Sequence, residues 1–301
     1  MNPTVTVIIP VLNAASMLPK VLEALASQSY PREMTEVLIV DNGSADNSKE
    51  VAKSYGVKVL SETETKSPYA ARNVGFEYAT GSIIALTDAN KVPDKHWIEE
   101  GVNSLLKNDA DLAGGQILFD LDENPTSAEL FDAITYNDNR RFVLEQQSSA
   151  SGNLFFKKNL LDELGPFPDQ FRSGMDIWWT KNAVQNGHKI VFSEKAVVYC
   201  KPRKLKSILK KSMRVGVLHP IIFKQQGKSI FYILGQTFRT FAPPKIKPLK
   251  QKLSKLGKPN SLFRVWCVAW MCKAMMGAGR FRGLTHLNQN IRSDAESYTL
   301  N

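Results

Sequence analysis

The 301-residue sequence predicts an α/β protein, with a mostly parallel central sheet flanked by helices and a basic helical C-terminal extension. Three observations predict this. Short apolar, β-branched runs alternate four times with segments of helical period before Asp88. The connections between them are short, as in sheets whose crossovers are helices. Charge is split along the chain. From Cys200 to Asn301 there are 21 Lys and Arg against two acids, Asp294 and Glu296, whereas residues 1–199 carry 18 against 27. An acidic front is thus joined to a tail of net charge +19.

The elements follow in order. Residues 4–9, TVTVII, are a strand buried on both faces and closed by Pro10. Residues 16–28 place Met17, Leu18, Val21, Leu22, Leu25 and Ala26 at helical spacing, with Ser16 as the expected N-cap. EVLIV (36–40) is a second strand, ending in the turn Asp41-Asn42-Gly43-Ser44, and residues 46–55 read as a helix. VKVL (57–60) is a third strand. Residues 68–79 are helical up to Gly81, and residues 82–87 are a fourth strand running into Asp88-Ala89-Asn90. The middle is less regular. It has a short strand at 116–119, one helix over 127–146, a strand at 151–156 and a short helix at 160–164 broken by Gly165-Pro166. A helix at 176–186 and a strand at 189–199 with a turn near Glu194 complete it. Residues 204–216 form a basic helix. Residues 243–260, rich in proline and lysine, read as a linker or surface loop.

Composition excludes several classes. Three cysteines, Cys200, Cys267 and Cys272, make no disulfide framework and lack zinc-type pairing with histidine, so a reducing compartment is expected. MNPTVTVIIP has no basic region before its apolar run, so no signal peptide is read there. In residues 261–276 the uninterrupted apolar stretch between Arg264 and Lys273 is only Val265–Cys272, against about 20 residues for a bilayer crossing. It reads as an interfacial or core helix. His96, His188, His219 and His286 are scattered without ligand spacing. Ser44 and Ser151 have no evident base partner for hydrolase chemistry. No Gly-x-Gly-x-x-Gly follows the first strand, against an NAD enzyme.

Sheets of this type bind ligands at the carboxyl ends of their strands, where Asn13, Asp41 and Asp88 fall. Asp41 can accept hydrogen bonds from a nucleobase or ribose; as an Asx residue it equally closes its own turn. Arg72 can hold a base or diphosphate, or lie on a solvated helix face.

In order and spacing these stretches resemble glycosyltransferase family 2, which has the GT-A fold. VTVIIPVLNAASMLPKVLEALASQSYP resembles its first strand, loop and helix. EVLIVDNGSADNS resembles its second strand with the nucleotide-binding aspartate. SPYAARNVGFEYATGSIIALTDAN resembles the Arg-Asn-x-Gly helix feeding the Asp-x-Asp strand end. The stretch from Ser151 to Tyr199 resembles the acceptor half. The resemblance covers residues 4–216. It implies an inverting transferase that moves a sugar from a nucleoside diphosphate donor to a hydroxyl of a glycan or lipid-linked glycan, such as an envelope polysaccharide precursor. It assigns residues 1–216 to the catalytic domain (1–115 for the nucleotide-sugar, 116–216 for the acceptor) and 217–301 to the basic helical region.

By the same resemblance Pro10, Asn13, Asp41, Arg72 and Asp88 line the donor site, and Asp88 with Asn90 holds Mg²⁺ or Mn²⁺ on the diphosphate. The pattern departs here. The second carboxylate is the amide Asn90, the next residue is Lys91, and Cys200 stands where many relatives carry a metal-binding histidine. A metal ion remains the family expectation. Metal-independence is the alternative, with Lys91, or Lys201 and Arg203, supplying positive charge.

Asp176 matches the catalytic base, although the family's Gly-Glu-Asp is here Gly174-Met175-Asp176; otherwise it is a helix N-terminal acid on the macrodipole. Gly152, Asn153 and Trp178 match the acceptor pocket. Asn153 equally suits a buried loop, and Trp178 and Trp179 equally suit a core. The rivals are a nucleotide-sugar-binding relative without activity and a nucleotidyltransferase, for which PVLNAAS is the wrong loop. The basic tail, residues 200–301, reads either as a means of peripheral attachment to an anionic membrane face or as helices packed on the catalytic domain with solvated lysines. No groove-reading motif supports a nucleic-acid partner. The expected location is cytoplasmic, with attachment at the inner face of the membrane under the first reading.

Overall fold

The computed structural model describes residues 2–136, 138–171 and 173–287. The front of the chain alternates as expected. β1 (Val5–Val11), α1 (Leu18–Ala26), β2 (Thr35–Asp41), α2 (Ser48–Ser54), β3 (Lys58–Ser61), α3 (Pro68–Tyr78) and β4 (Ile83–Thr87) follow one another. Val7, Ile8, Leu38, Ile84 and Leu86 have no exposed surface, which explains the unbroken apolar runs. β1 pairs in parallel with β2 and β4, and β2 with β3. Pro10 lies opposite Val40 of β2, past the point where pairing with β4 ends at Ile8, so its missing N–H costs no ladder bond on that side.

The strands that follow add antiparallel pairs. β5 (Val92–Pro93), α4 (Trp97–Lys107) and β6 (Leu112–Phe119) are followed by α5 (Ser127–Thr135), α6 (Asn139–Gln146) and β7 (Asn153–Lys157). Then come α7 (Leu160–Leu164), α8 (Met175–Gln185) and β8 (Ile190–Cys200). β7 runs antiparallel to both β4 and β6, and β5 antiparallel to β8, giving the order β3-β2-β1-β4-β7-β6-β8-β5. Thr87, at the end of β4, therefore lies opposite Asn153, at the start of β7. That register brings the loop before β7 to the loop after β4.

The tail contributes α9 (Leu205–Gln225), α10 (Ile230–Arg239), α11 (Ile246–Lys255) and α12 (Leu262–Leu284). The chain divides into two compact units. One holds residues 2–118 and 138–200, the other 119–136 and 201–287 among the described residues. The sequence drew its division at residue 216; the compact units part after Cys200, and residues 119–136 join the helical unit.

Several local expectations differ from the structure. The single helix over 127–146 is two. Thr126 opens α5 with a reciprocal capping box to Glu129, and Asp138 starts α6 afresh by accepting from the Arg141 N–H. Ser16 does not cap α1, whose N-cap is Met17 without a side-chain bond. β8 passes Glu194 without a turn. Residues 243–260 contain α11, because Leu253 is buried in the helical core and tertiary packing outweighs the local prolines. α4, α10 and β5 were not foreseen.

The helical unit has its own core, in which Phe131, Ile134, Ile208, Leu253, Val265 and Val268 meet. α9 and α12 cross closely at glycines: a Cβ on Gly279 would collide with the Met213 carbonyl, and one on Gly283 with that of Val217.

Candidate active site

Asp88 follows Thr87, the last residue of β4, at the sheet's carboxyl edge. The turn after it closes through the backbone, Lys91 N–H donating to the Asp88 carbonyl at 3.0 Å, which leaves the side-chain carboxylate for other partners. Arg72 Nη2 donates to Asp88 Oδ1 at 2.6 Å, and the Lys91 ammonium meets Oδ2. Both cations are buried, Arg72 at 2% and Lys91 at 3% exposure. Arg72 also donates to the Pro68 carbonyl, and its Nε is buried without an acceptor. Gly152 makes room for this cluster. A Cβ there would lie 2.6 Å from Lys91 Nζ and 3.1 Å from Asp88 Oδ2.

Asp176 opens α8 and is also buried. Its Oδ1 accepts from Tyr69 Oη at 3.0 Å and from the Ile177 N–H at 3.0 Å. Its Oδ2 accepts from the Ser151 N–H and Oγ, each at 2.8 Å. Burial first, and the Asp176 carboxylate second, push the Tyr69 phenol well above its ordinary value, so it stays a donor.

The two carboxylates belong to one circuit. Tyr69 and Arg72 stand on α3, with the guanidinium 5.9 Å from the Tyr69 ring centre. One reaches Asp176, the other Asp88. Ser151 and Gly152 are neighbours before β7; one donates to Asp176, the other borders Lys91 and Asp88. α3 is held down at both ends of this span. Ser67 caps it by accepting from the Tyr69 N–H, and Gly75 lets it close on β1, where a Cβ would lie 2.5 Å from an Ile8 methyl. Asn73 pairs through its amide with both the N–H and the carbonyl of Phe167, tying α3 to the chain that leads into α8.

Other expected site residues have their own partners in the structure. Asp41 is buried at the end of β2, and its carboxylate accepts from the Gly43 and Ser44 N–H groups and pairs with Lys49 at 3.3 Å. It braces its own turn. Asn13, at φ 53°, accepts from the Ala45 N–H and donates its own N–H to Ser44 Oγ, tying two loops together. Asn153 is fully buried. Its amide donates to the Gln116 and Ala196 carbonyls and accepts from Trp97 Nε1, so both its N–H donors are used within the core. Trp179 is core, packed on Phe156 and Phe167, while Trp178 is half-buried. Asn90 is exposed. Lys201 pairs with Asp120 and Asp122, and Arg203 with the buried Asp132, all within the helical unit. Only Lys91, of the three candidate cations, meets Asp88.

A family model described as Glycosyl transferase family 2 matches residues 6–165. The chain belongs to that family. Glycosyltransferase AglE of Haloferax volcanii is 34% identical over 290 residues, covering 92% of this chain and 95% of that protein. A Methanococcus voltae protein is 23% identical over 247 residues, covering 76% of this chain and 77% of its own length. It is named dolichyl N-acetyl-alpha-D-glucosaminyl phosphate 3-beta-D-2,3-diacetamido-2,3-dideoxy-beta-D-glucuronosyltransferase. Among solved structures, the mannosyltransferase PcManGT from Pyrobaculum calidifontis, in complex with GDP-Man and Mn²⁺, aligns with a TM-score of 0.65 at 19% identity, covering 94% of this chain and 88% of that one. The protein is thus a glycosyltransferase with the GT-A fold.

Within this family 2 glycosyltransferase the donor set at Asp88 does not fit a hard divalent ion. Such an ion takes several oxygen ligands. Asp88 is the only carboxylate of the 88–91 turn, and both its oxygens are engaged by cations. Cys200 closes β8 with a buried thiol in place of an imidazole. Among the described residues no three His, Cys, Asp or Glu side chains gather to hold a metal.

Sequence reasoning missed Tyr69, Asn73 and Ser151. The first two carry a signal only as neighbours of Arg72 on one helix. Ser151 carries none, since its partner Asp176 is distant in sequence.

Proposed function

We propose that the transferase works by a single displacement with inversion, Asp176 acting as general base. The acceptor hydroxyl gives its proton to Asp176 while its oxygen attacks the anomeric carbon. The bond from that carbon to the diphosphate oxygen breaks, and its electron pair leaves on the nucleoside diphosphate. The observation that carries this reading is the circuit itself: a buried carboxylate that, among the described residues, accepts from neutral donors is linked through Ser151-Gly152 and through α3 to a second carboxylate flanked by two buried cations. The first suits proton uptake and the second suits a diphosphate. A carboxylate offers about four acceptor sites, and four donors fill those of Asp176. The acceptor hydroxyl therefore displaces a donor that can rotate away, Ser151 Oγ or Tyr69 Oη.

The donor is read as a nucleoside diphosphate sugar, in line with the GDP-Man bound by the Pyrobaculum calidifontis neighbour. The acceptor is read as a glycan or lipid-linked glycan, in line with the dolichyl-phosphate-linked substrate in the name of the Methanococcus voltae relative. The test is the anomeric configuration of the product by NMR, after matching the donor among UDP, GDP and dTDP sugars. Inversion is expected. Retention would exclude direct displacement by an Asp176-activated hydroxyl.

The helical unit supports attachment to an anionic lipid bilayer. Residues 201–287 carry 20 Lys and Arg and no Asp or Glu. Exposed aromatics form a ribbon: Phe238 packs on Phe281, Phe281 on Phe241, and Phe263 on Trp266, which meets Trp270. Trp270 Nε1 donates to the Phe241 carbonyl, joining the two halves. Phe263 is 74% exposed and Phe231, on α10, 83%. Basic residues near an anionic surface contribute about 1 kcal/mol each, and exposed aromatics suit the headgroup region. No helix among the described residues is long and apolar enough to cross a membrane. Co-sedimentation with phosphatidylserine vesicles, lost in high salt and absent with neutral vesicles, is expected. Equal recovery in the supernatant under all conditions would leave the lysines as a solvated surface.

A further inference from the structure

We propose that the Lys91 ammonium takes the place of a divalent ion in this transferase, neutralising the donor diphosphate from a slot opened by Gly152. The proposal rests on the donor being a nucleoside diphosphate sugar. Four observations carry it. The backbone turn from Asp88 to Lys91 folds the lysine back onto the carboxylate that would otherwise be the metal's principal ligand. The lysine is 3% exposed, so its stem and ammonium are housed rather than draped over the surface. The housing is specific, because a methyl group at residue 152 would lie 2.6 Å from Nζ and 2.8 Å from Cε. The neighbouring residue that would complete a pair of carboxylates is the uncharged, exposed Asn90.

Two buried cations, Arg72 and Lys91, thus converge on the single carboxylate Asp88. A divalent ion at Asp88 would have to displace the ammonium from its slot or bind against it, and charges of like sign at such range repel strongly in a buried site. A nucleoside diphosphate brings the opposite charge and accepts hydrogen bonds from Lys91 without any such displacement. As the bond from the anomeric carbon to the diphosphate oxygen breaks, the electron pair settles on a phosphate oxygen next to a fixed positive charge. The acceptor proton stays on Asp176, and no metal is needed to balance the step.

The test uses the full chain and two readouts. Binding of UDP, GDP and dTDP is measured by calorimetry in EDTA and in Mn²⁺, and turnover of the matching donor sugar under the same conditions. The expected result is one nucleotide bound with similar affinity in both, and turnover that survives the chelator. Lys91→Met, which keeps the stem and removes the charge, should lower turnover in EDTA by about 100-fold, the usual cost of one electrostatic donor to a developing anion. Gly152→Ala, which keeps the lysine but fills its slot, should weaken nucleotide binding in the same direction. Melting temperatures near wild type show that the variants fold. If the wild type binds and turns over only with Mn²⁺ and Lys91→Met is no weaker, the substitution of lysine for metal is overturned and the donor reading stands. If no nucleotide binds under either condition, the donor reading falls, and this inference with it.

Discussion

The two units of this chain handle charge in opposite ways. In the sheet unit, charged groups are drawn inside and paired: Asp88 with the buried Arg72 and Lys91, and the buried Asp41 with Lys49. In the helical unit, residues 201–287 supply 20 cations and no acid, and the core is built from apolar side chains and close glycine contacts. Its buried exceptions are few. Arg203 meets Asp132 from α5, and Arg280 donates to His219 Nδ1 and to the Gln236 carbonyl. Burying a charge costs several kcal/mol unless partners replace water, and in the sheet unit cations and turn N–H groups supply those partners. The helical unit leaves most of its charge exposed, as its proposed attachment to an anionic surface requires.

The sharpest way to break this contrast is to neutralise a buried group of the sheet unit. Asp176→Asn keeps the shape and most of the hydrogen bonds but removes the base. Turnover should fall by about 1,000-fold, with nucleotide affinity unchanged by calorimetry. A fall of less than ten-fold would return Asp176 to the role of a helix N-terminal acid.

The helical unit should respond to pH instead. Burial first, and Arg280 second, lower the His219 pKa from about 6.5 to about 4. A group depressed in the folded state stabilises it above the unfolded value and loses that contribution as pH falls toward the folded one. Between pH 6.5 and 4 the unit should therefore lose up to about 3 kcal/mol through His219. Melting curves of His219→Gln, which keeps an acceptor for Arg280, should show a smaller loss over that window than wild type.

A structural version of the contrast is Gly279→Leu. Its side chain would press on the Met213 carbonyl and force α9 and α12 apart. Overpacking of this kind costs about 1–3 kcal/mol, which should appear as a melting temperature lowered by several degrees. Calorimetric affinity for the nucleotide should be little affected, since its proposed ligands lie in the other unit. The smallest effect is expected at the surface. Replacing Phe231 or Phe263 by serine should weaken vesicle binding by roughly ten-fold each, about the value of one exposed ring entering the interface, with no change in melting temperature.

How far the sequence could be read depended on range. The four parallel strands and their helices were legible because burial on both faces leaves unbroken apolar runs, and one buried face leaves a 3.6-residue period. The antiparallel half was harder. β5 is two residues long, α5 and α6 look like one helix because a polar break and a polar helix face are alike in sequence, and α11 lies in a stretch that proline and lysine mark as loop. Within the site, Arg72, Asp88 and Lys91 were legible because they are local to α3 and the strand end. Asp41 and Asn13 were ambiguous, since an aspartate past a strand end has the same signature whether it holds a ligand or closes its own turn. The structure shows the Gly43 and Ser44 N–H groups on Asp41, and the donor-site role stays a proposal.

By itself, then, the sequence determined the order of the four parallel strands and their helices, the family, the carboxylates at strand and helix ends, and the division into an acidic front and a basic tail. Periodicity, spacing and charge are local properties, and a linear chain displays them directly. Only the tertiary structure decided that Tyr69 and Ser151 share Asp176, that Asn153 is spent in the core, and that Gly152 opens the slot for Lys91. Those contacts join residues 25 to 107 positions apart. They exist because β7 lies antiparallel to β4 with Asn153 opposite Thr87, a register set by packing across the whole sheet.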